Sequence, residues 1–259
     1  MEKIDRPPQA LVSISVVSHR QMALICGLMQ DIQENCANLN LELILTLNLD
    51  EALTFFDADY SYPVKVIRNL TPRGFGANHN QAFKQASGQF FCVINPDIRF
   101  DSDPFPMLVS RLRDPAVGVV APLVVGTSGE LEDSVRCFPT PRIILAKVFG
   151  HQEKAVDSLT TQNAEPDWVG GMFMLFSSQV FERLHGFDER YFLYYEDVDL
   201  CARLRLEGYR VVVCPQTRVI HHAQRSSHRS LKFLRWHIAS MLRFFLSPVY
   251  RQLNQRRRP

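Results

Sequence analysis

Three carboxylates directly behind a block of aromatic residues are the part of this sequence best suited to chemistry. The aromatic block runs from Tyr191 to Tyr195, and the acids are Glu196, Asp197 and Asp199. A charge beside apolar bulk is costly unless it is paired or used. Because residues two apart on a helix lie on different faces, one acid can face a cleft while another caps the helix or pairs with Arg203. We therefore expect one of these acids to serve as a base.

The surrounding segment, Trp168 to His222, combines predicted strands with short helices. The pattern over 168–176 predicts a buried strand, and a short helix leads from it to Gly186. A second strand is predicted from Tyr209 to Pro215, with His221 just beyond it. A base and a histidine near a phosphate and metal site would thus lie within one βαβ-sized unit.

A second candidate site is the tripeptide Asn95-Pro96-Asp97, which follows a predicted buried strand. A carboxylate held by a rigid proline turn at a strand end is well placed to bind a divalent cation, which in turn binds a diphosphate. The same tripeptide is also an ordinary turn, and by itself it does not decide between the two interpretations.

The segment from Arg73 to Asn78 places a cation and two glycines at the predicted start of a helix. Its backbone N–H groups and the Arg73 guanidinium can contact phosphate oxygens. The glycine pair matches neither a dinucleotide-binding fingerprint nor a P-loop. The sequence also lacks a Gly-x-Ser-x-Gly element and the kinase signature, which disfavours hydrolases and kinases.

Strands and helices alternate from the start of the chain, which predicts an α/β fold with a Rossmann-like, open, mostly parallel sheet flanked by helices. Strands are predicted at 10–18, 41–47, 64–67 and 89–94, and helices at 21–38, 51–56 and 75–86. Ligands bind beyond the carboxyl ends of the strands in such sheets. Ser18, His19, Asn48 and Asp97 each follow a strand end, so they fall where a ligand site is expected.

The composition is that of a globular cytoplasmic protein. With 46% hydrophobic and 22% charged residues, the 259-residue chain can bury a large core. The six cysteines form no Cys-x-x-Cys pair, which favours buried reduced thiols over a zinc site. Because neither a signal-peptide pattern nor roughly eighteen consecutive apolar residues occur, we expect a chain that is not exported by that route and does not span a membrane.

The C-terminal part of the chain is basic, although the net charge is only +2. Ten Lys or Arg residues and no Asp or Glu lie between Arg218 and Pro259. Apolar residues recur at helical spacing from Leu231 to Phe245, which predicts a cationic amphipathic helix. We divide the chain into a domain, 1–225, and a basic helical appendage, 226–259. The appendage suits an anionic membrane surface, a helix docked on the domain is the alternative, and nucleic acid is disfavoured because no binding motif accompanies the charge.

A series of short segments carries a family resemblance. They are 16–19, 74–80, 94–98, 134–139, 167–174, 186–188, 191–201, 220–222 and 235–237. Jointly they resemble the inverting glycosyltransferases of family 2, which use nucleotide-diphosphate sugars on a GT-A fold. In particular, the chain is similar to bacterial rhamnosyltransferases that add L-rhamnose to lipid-linked N-acetylglucosamine in O-antigen and cell-wall polysaccharide assembly.

The resemblance implies roles for individual residues. Asp197 matches the catalytic base, and Asp97 matches the last acid of the family's metal-binding Asp-x-Asp, whose first acid is Asn95 here. His221 matches a histidine near the metal and the diphosphate, so Asp97 and His221 are the expected ligands of a Mg²⁺ or Mn²⁺ cofactor. A further departure lies at Leu47-Asn48, where relatives usually carry Asp-Asn to help read the nucleobase.

The resemblance also implies the substrates. We expect transfer of a sugar, L-rhamnose from dTDP-rhamnose, to a polyprenyl-diphosphate-linked saccharide. Residues expected to bind the nucleotide-sugar donor are Ser18, His19, Asn48, Arg73, Gly74, Asn78, Asn95 and Asp97. Residues expected to bind the acceptor are Trp168, Gly170, Gly171 and Glu196.

A lipid-linked acceptor places the expected site of action at the inner face of the plasma membrane. The chain would attach there peripherally through its basic appendage. Cations expected at the headgroups are Lys232, Arg235, Arg243 and Arg256 to Arg258; aromatics expected at the acyl boundary are Phe233, Trp236, Phe244 and Phe245.

Two alternatives come from other classes. A nucleotidyltransferase should carry a glycine-rich phosphate loop after the first strand, where this chain has Ser18-His19-Arg20. A catalytically impaired member that only binds sugar nucleotides would account for Asn95 and Leu47, whereas the presence of Asp197 and His221 argues against it.

Overall fold

An open sheet forms the centre of the structure. The computed structural model describes residues 12–148, 165–222 and 231–256. Its strands are β1 Val12–Ser18, β2 Leu41–Leu47, β3 Val64–Arg68, β4 Phe90–Ile94, β5 Ile98–Arg99, β6 Val117–Gly126, β7 Val135–Arg136, β8 Trp168–Val169, β9 Phe173–Ser177 and β10 Arg210–His221. Within these ranges, eight strands form the main sheet in the order β3-β2-β1-β4-β9-β6-β10-β5, and β7 pairs with β8 separately.

Most strands of the main sheet point the same way. β1, β2, β3 and β4 are mutually parallel, and β6 is parallel to β10. β9 runs antiparallel between β4 and β6, and β5 runs antiparallel to β10. Every residue of β1 and β2 is buried, as expected for strands covered on both faces. The expected mostly parallel α/β sheet is confirmed.

Helices cover both faces of this sheet. They are α1 Met22–Asn35, α2 Phe75–Phe83, α3 Phe105–Leu112, α4 Pro141–Val148, α5 Ser178–Arg183, α6 Glu196–Leu206, α7 Leu231–Leu246 and α8 Pro248–Arg256. Neighbouring residues of β4 belong to two different apolar clusters. Cys92 packs in a cluster that includes residues of α1 and α3, whereas Phe91 packs in a cluster that includes residues of α2, α5, α6, α7 and α8. The pleat of a strand sends successive side chains to opposite faces, so these clusters are the two layers of the core.

The two C-terminal helices pack against the sheet domain. Ser240 and Phe244 of α7 and Leu253 of α8 are buried. The expectation that the tail aromatics reach a membrane is wrong for Phe244, which is buried beside Tyr195. Trp236 is half-buried, with its ring 4.6 Å from that of Phe192, and its expected membrane contact stays a prediction.

Some expectations about the tail cannot be placed on the structure. The domain boundary at 225–226, the start of the first predicted strand at Ala10, and Arg257 and Arg258 lie outside the described residues. Over the part of the chain that is described, no helix combines the length and apolarity needed to cross a bilayer.

The short helix expected at 51–56 is absent from that segment, and a 3-10 helix, Asp57–Asp59, follows it instead. Side chains from elsewhere bind the polar groups here. Arg68 donates to the carbonyl oxygen of Glu51 at 3.1 Å, and the Asp59 carboxylate accepts from the Phe56 N–H at 2.9 Å. Such bonds compete with the helical hydrogen-bond ladder.

The strand expected over 168–176 is interrupted. β8 ends at Val169 and β9 begins at Phe173, and the N–H groups of Gly170 and Gly171 bond to Ser134 and Asp197 rather than to a neighbouring strand. β10 is longer than expected. It continues past Cys214 to His221, and a shift in its register against β6 accommodates Pro215.

His79 on α2 is buried against β1. Its Nδ1 lies 2.8 Å from the Ser15 hydroxyl oxygen, and its Nε2 is buried without a hydrogen-bond partner in the described residues. Burial lowers the pKa of His79 to about 3, so the folded protein holds it as neutral imidazole.

This histidine predicts a loss of stability in acid. The unfolded chain binds a proton near pH 6.5 whereas the folded chain does not, so stability rises with pH between about 3 and 6.5. Between pH 7 and pH 5, His79 should lower the free energy of unfolding by about 2 kcal/mol. Urea unfolding should therefore show a smaller loss over this interval for His79→Gln than for the unmodified protein. Equal losses in the two proteins would contradict the assignment, and His222→Gln, at an exposed position, is the control.

Candidate active site

A cleft of about 780 Å³ opens at the carboxyl ends of β1 and β4. The parts of the chain that line it include the loop after β1, the loop before α2, the turn after β4, the aromatic segment before α6 and the start of α7. Its lining residues are Val17, His19, Arg20, Gln21, Leu49, Pro72, Arg73, Phe75, His79, Ile94, Asn95, Pro96, Asp97, Gly171, Phe192, Leu193, Tyr194, Glu196, Lys232, Phe233 and Trp236. The cleft therefore lies where an open α/β sheet binds its ligands.

The acids Glu196 and Asp197 directly follow a turn in which two residues have left-handed backbone conformations. Tyr194 and Tyr195 have φ angles of 70° and 68°, and α6 starts at the next residue, Glu196. Bulky residues rarely adopt this conformation, and each costs roughly 1–3 kcal/mol. Such a turn persists only where its surroundings hold it.

Helix α7 holds the turn. The ring of His237 lies 5.3 Å from that of Tyr194 and 5.5 Å from that of Tyr195. The Ser240 hydroxyl donates to the carbonyl oxygen of Leu193 at 2.9 Å. The direction in which α6 starts therefore depends on a helix some forty residues further along the chain.

Asp197 is anchored by backbone N–H groups. Its Oδ2 accepts from the Gly171 N–H at 3.0 Å, and its Oδ1 accepts from the Val198 N–H at 2.8 Å. Burial raises the pKa of Asp197, while these hydrogen bonds and the charge of Arg136 oppose the shift. A half-buried carboxylate with a raised pKa is a suitable proton acceptor, and Gly171 brings it to the edge of the cleft.

Glu196 has a different environment. It is buried, it lines the cleft, and its Oε2 has no hydrogen-bond partner in the described part of the chain. Burial and the charge of Asp197 raise the pKa of Glu196 well above its ordinary range. Burial therefore favours the protonated form of Glu196 more strongly than that of Asp197.

Asp199 is not available as a base. Its carboxylate accepts from Arg203 at 2.7 Å, and the same guanidinium donates to the carbonyl oxygens of Leu184 and Gly186. The expectation that one acid pairs with Arg203 is confirmed.

The second acidic centre consists of Asp97, His221 and Glu132. His221 lies between the two carboxylates, with Nε2 3.3 Å from Asp97 Oδ2 and Nδ1 3.0 Å from Glu132 Oε2. Burial favours the neutral ring, but the hydrogen bonds and charges of Asp97 and Glu132 outweigh it and raise the pKa of His221. Across the described ranges, no group of three or more His, Cys, Asp or Glu side chains is arranged to hold a metal ion.

Asp97 nevertheless has a free coordinating atom. Its Oδ1 is buried and makes no hydrogen bond within the described residues. Mg²⁺ and Mn²⁺ sites that act on nucleotides commonly use one or two protein side chains and take their other ligands from phosphates and water. Asp97 and His221 fit a site of this kind.

Three amides, the buried Asn48 and Asn78 and the half-buried Asn69, order the loop that carries Arg73. Asn69 donates to Asn48 Oδ1 at 2.7 Å and to Asn78 Oδ1 at 2.6 Å. Asn48 in turn accepts from the Arg73 N–H at 2.8 Å and donates to the Arg73 carbonyl oxygen at 2.9 Å. The Arg73 side chain contacts Gln81 and is half-exposed at the cleft.

Gly74 joins this loop to the aromatic segment. A β-carbon at Gly74 would lie 2.7 Å from the carbonyl oxygen and 2.8 Å from the α-carbon of Phe192, and the next N–H, of Phe75, donates to that same oxygen at 2.8 Å. A side chain there would separate the two walls of the cleft. Close packing, rather than contact with phosphate, accounts for glycine at this position.

The structure brings only part of the predicted set to the cleft surface. His19, Arg73, Asn95, Asp97, Gly171 and Glu196 line it. Ser18, Asn48, Gly74 and Asn78 lie behind it, and the Ser18 hydroxyl accepts from the Gln21 N–H. Trp168 donates to the carbonyl oxygen of Cys137, and Gly170 to that of Ser134. Binding roles for all of these residues remain predictions.

Sequence reasoning missed Glu132 and the cleft-facing side of α7. Glu132 lies in a loop of mixed acids after β6, where no spacing distinguishes it, and only the fold brings it to His221. The aromatic residues at the start of α7, Phe233 and Trp236, are visible in the sequence, but their pattern predicts contact with a membrane rather than a place in the cleft.

Comparison with known proteins agrees with this geometry. The family described as "Glycosyltransferase like family 2" matches residues 8–239. The rhamnosyltransferase WbbL of Escherichia coli K12 is 31% identical in an alignment of 183 residues that covers 66% of this chain and 69% of that protein. The N-acetylglucosaminyl-diphospho-decaprenol L-rhamnosyltransferase of Mycobacterium tuberculosis is 30% identical in an alignment of 148 residues that covers 53% of this chain but only 48% of that protein.

A solved structure shows the fold. The mannosyltransferase PcManGT of Pyrobaculum calidifontis, in complex with GDP-Man and Mn²⁺, superposes with a TM-score of 0.60 at 20% identity, covering 91% of this chain and 65% of that one. The expected GT-A fold is confirmed. Since the family match extends over most of the sequence, the chain belongs to glycosyltransferase family 2.

Proposed function

We propose that this protein is an inverting rhamnosyltransferase that moves L-rhamnose from dTDP-rhamnose to a polyprenyl-diphosphate-linked saccharide in O-antigen or related polysaccharide assembly. One observation carries the proposal: a single cleft is lined both by Asp97, which contacts His221, and by Gly171, whose N–H group anchors the carboxylate of Asp197. The names of the E. coli and M. tuberculosis relatives support rhamnose as the sugar, and the mycobacterial name supports a lipid-diphosphate acceptor.

On the acceptor side, the attacking hydroxyl must lose a proton as it approaches the anomeric carbon from the face opposite the leaving diphosphate. Asp197 takes that proton, because burial raises its pKa and the Gly171 and Val198 N–H groups fix its direction. Glu196 beside it, whose protonated form burial favours, can donate a hydrogen bond to the acceptor. Direct displacement needs no covalent enzyme intermediate.

On the donor side, the departing nucleoside diphosphate gains negative charge. Arg73 and the carboxyl end of β4 at Asn95 and Asp97 bind this part of the substrate, and Asn48 and Asn78 position Arg73 rather than contacting the nucleotide. A Mg²⁺ or Mn²⁺ ion held by Asp97 and His221 would neutralise the diphosphate oxygens.

The acceptor's lipid anchor calls for contact with a membrane surface, and the outer face of α7 suits it. Five aliphatic residues form a stripe at spacings of three or four: Leu231, Leu234, Ile238, Leu242 and Leu246. They are between 43% and 80% exposed, and Lys232, Arg235 and Arg243 lie on the same helix. This outer stripe replaces the aromatic residues as the apolar contact. Each cation near an anionic surface contributes ~1 kcal/mol. Peripheral attachment at the cytoplasmic face of the plasma membrane follows from the proposal.

The role of Asp197 predicts a selective loss of turnover. Asp197→Asn should lower kcat by roughly 10²-fold or more because the amide cannot accept the acceptor's proton. Affinity for dTDP, measured by titration calorimetry, should stay near that of the unmodified protein, which also shows that the variant is folded. Glu182→Gln, at an exposed acid on α5, is the control and should leave both quantities unchanged. Near-normal kcat in Asp197→Asn would contradict the assignment.

The Asp97 centre predicts metal-dependent nucleotide binding. Asp97→Asn should weaken dTDP binding and remove its dependence on Mn²⁺. Glu132→Gln should weaken Mn²⁺ binding about 10-fold or more, because Glu132 orients the ring of His221. Mn²⁺ titration in the presence of dTDP, followed by electron paramagnetic resonance, measures both effects, and Glu130→Gln controls for a charge change in the same loop. Tight dTDP binding in the unmodified protein that persists in EDTA would contradict a metal role.

The outer stripe predicts salt-sensitive membrane attachment. The full chain should co-sediment with vesicles containing anionic phospholipid at low salt and much less at high salt, since screening weakens exposed charges. Replacing Leu234 and Ile238 together by Ser should reduce sedimentation while leaving dTDP binding intact. Leu131→Ser removes an exposed leucine elsewhere and serves as the control. Unchanged sedimentation of the double variant would place the membrane contact elsewhere.

A further inference from the structure

The inner side of α7 faces the cleft, although no expected active-site residue lies on that helix. Lys232, Phe233 and Trp236 line the cleft together with Phe192 and Glu196. The donor-side residues Arg73, Asn95 and Asp97 come from the loop before α2 and the end of β4. The cleft thus has a polar wall on the donor side and a mainly aromatic wall formed by α7 and Phe192.

The α7 wall presents an aromatic surface. The rings of Trp236 and Phe192 lie 4.6 Å apart at an interplanar angle of 31°, and the ring of Phe233 meets Trp236 edge-on at 5.4 Å. Phe192 remains 37% exposed. Flat rings that remain accessible in a cleft suit the apolar face of a sugar or the first carbons of a prenyl chain.

A cation lies over this aromatic surface. The Lys232 ammonium is 4.8 Å from the centre of the Trp236 ring. The other cleft-lining cations, Arg20 and Arg73, come from the loop after β1 and the loop before α2, where the donor is expected. Lys232 is therefore the cleft-lining cation supplied by the α7 wall.

We propose that Lys232, Trp236 and Phe192 form a subsite for the diphosphate and the adjoining sugar of the lipid-linked acceptor. The ammonium pairs with the diphosphate, and the two rings pack against the sugar and the start of the prenyl chain. This assignment rests on the proposed function, and it adds the part of the acceptor that is recognised and the residues that recognise it.

The subsite also relates the cleft to the membrane. The outer stripe and the cleft-lining residues are opposite sides of the same helix, α7, so contact of the stripe with a bilayer would bring the subsite to the level of the headgroups. A polyprenyl diphosphate has its phosphates at that level. One helix would thus position the turn before α6, contact the membrane and receive the acceptor.

The test uses the full chain without vesicles, so that membrane attachment does not contribute. The probes are geranyl-diphospho-N-acetylglucosamine and octyl N-acetylglucosaminide, which lacks the diphosphate. Titration calorimetry measures their binding, and initial rates with dTDP-rhamnose give kcat and KM. The variants are Lys232→Ala, Trp236→Ala and Trp236→Phe, with Lys84→Ala as the matched control on the exposed end of α2.

The unmodified protein should prefer the diphosphate probe, and Lys232→Ala should reduce that preference roughly tenfold, because a hydrogen bond to a charged group is lost. Binding of the octyl glycoside and of dTDP should be unchanged in that variant. Trp236→Ala should raise KM for both acceptor probes, and Trp236→Phe should restore most of the affinity.

Three results would overturn the subsite. In the first, Lys232→Ala prefers the diphosphate probe as strongly as Lys84→Ala does. In the second, Lys232→Ala weakens the binding of dTDP instead, which would assign the lysine to the donor. In the third, both Trp236 variants bind the probes with normal affinity. In each case, transfer by the unmodified protein would leave the proposed function standing. If the unmodified protein neither binds nor glycosylates the diphosphate probe, the lipid-linked acceptor is wrong and the subsite with it.

Discussion

The left-handed turn at Tyr194 and Tyr195 is the constraint on which the site depends. Two consecutive bulky residues with positive φ cost several kcal/mol together, yet they give α6 its starting direction and bring Glu196 to the cleft. Contacts from His237 and Ser240 offset that cost. The catalytic geometry is therefore not a property of the sheet domain alone, because α7 is needed to keep the acids in place.

The same sequence motif contains carboxylates in three electrostatic states. Asp199 is paired with Arg203, Glu196 is buried with one oxygen, Oε2, unbonded among the described residues, and Asp197 is held by two backbone N–H groups. Because burial favours the protonated form of Glu196 and the two N–H groups fix the orientation of the Asp197 carboxylate, Asp197 is the acid suited to exchange a proton with a ligand. On the other side of the cleft, Asp97 and His221, with Glu132 behind the histidine ring, would hold the divalent cation that we propose neutralises the diphosphate.

Local sequence was enough for much of the framework. The strands at 41–47 and 64–67, the helix start at Phe75 and the turn at Asn95 to Asp97 all follow from apolar runs, glycine and proline. The break between Val169 and Phe173 was missed because it is fixed by Ser134 and Asp197, which are distant in sequence. Glu132 was missed for the same reason. The inner and outer faces of α7 look alike in sequence, since aromatic and aliphatic residues alternate along it, and only packing separates them.

We propose that one carboxylate, Asp197, promotes a single displacement at the anomeric carbon. The anomeric configuration of the rhamnosyl product, formed from dTDP-rhamnose on a lipid-diphosphate acceptor and determined by nuclear magnetic resonance, tests this mechanism most directly. A single displacement gives a configuration opposite to that of the donor. A product with the donor's configuration, or a rhamnosyl group trapped covalently on the protein, would contradict it.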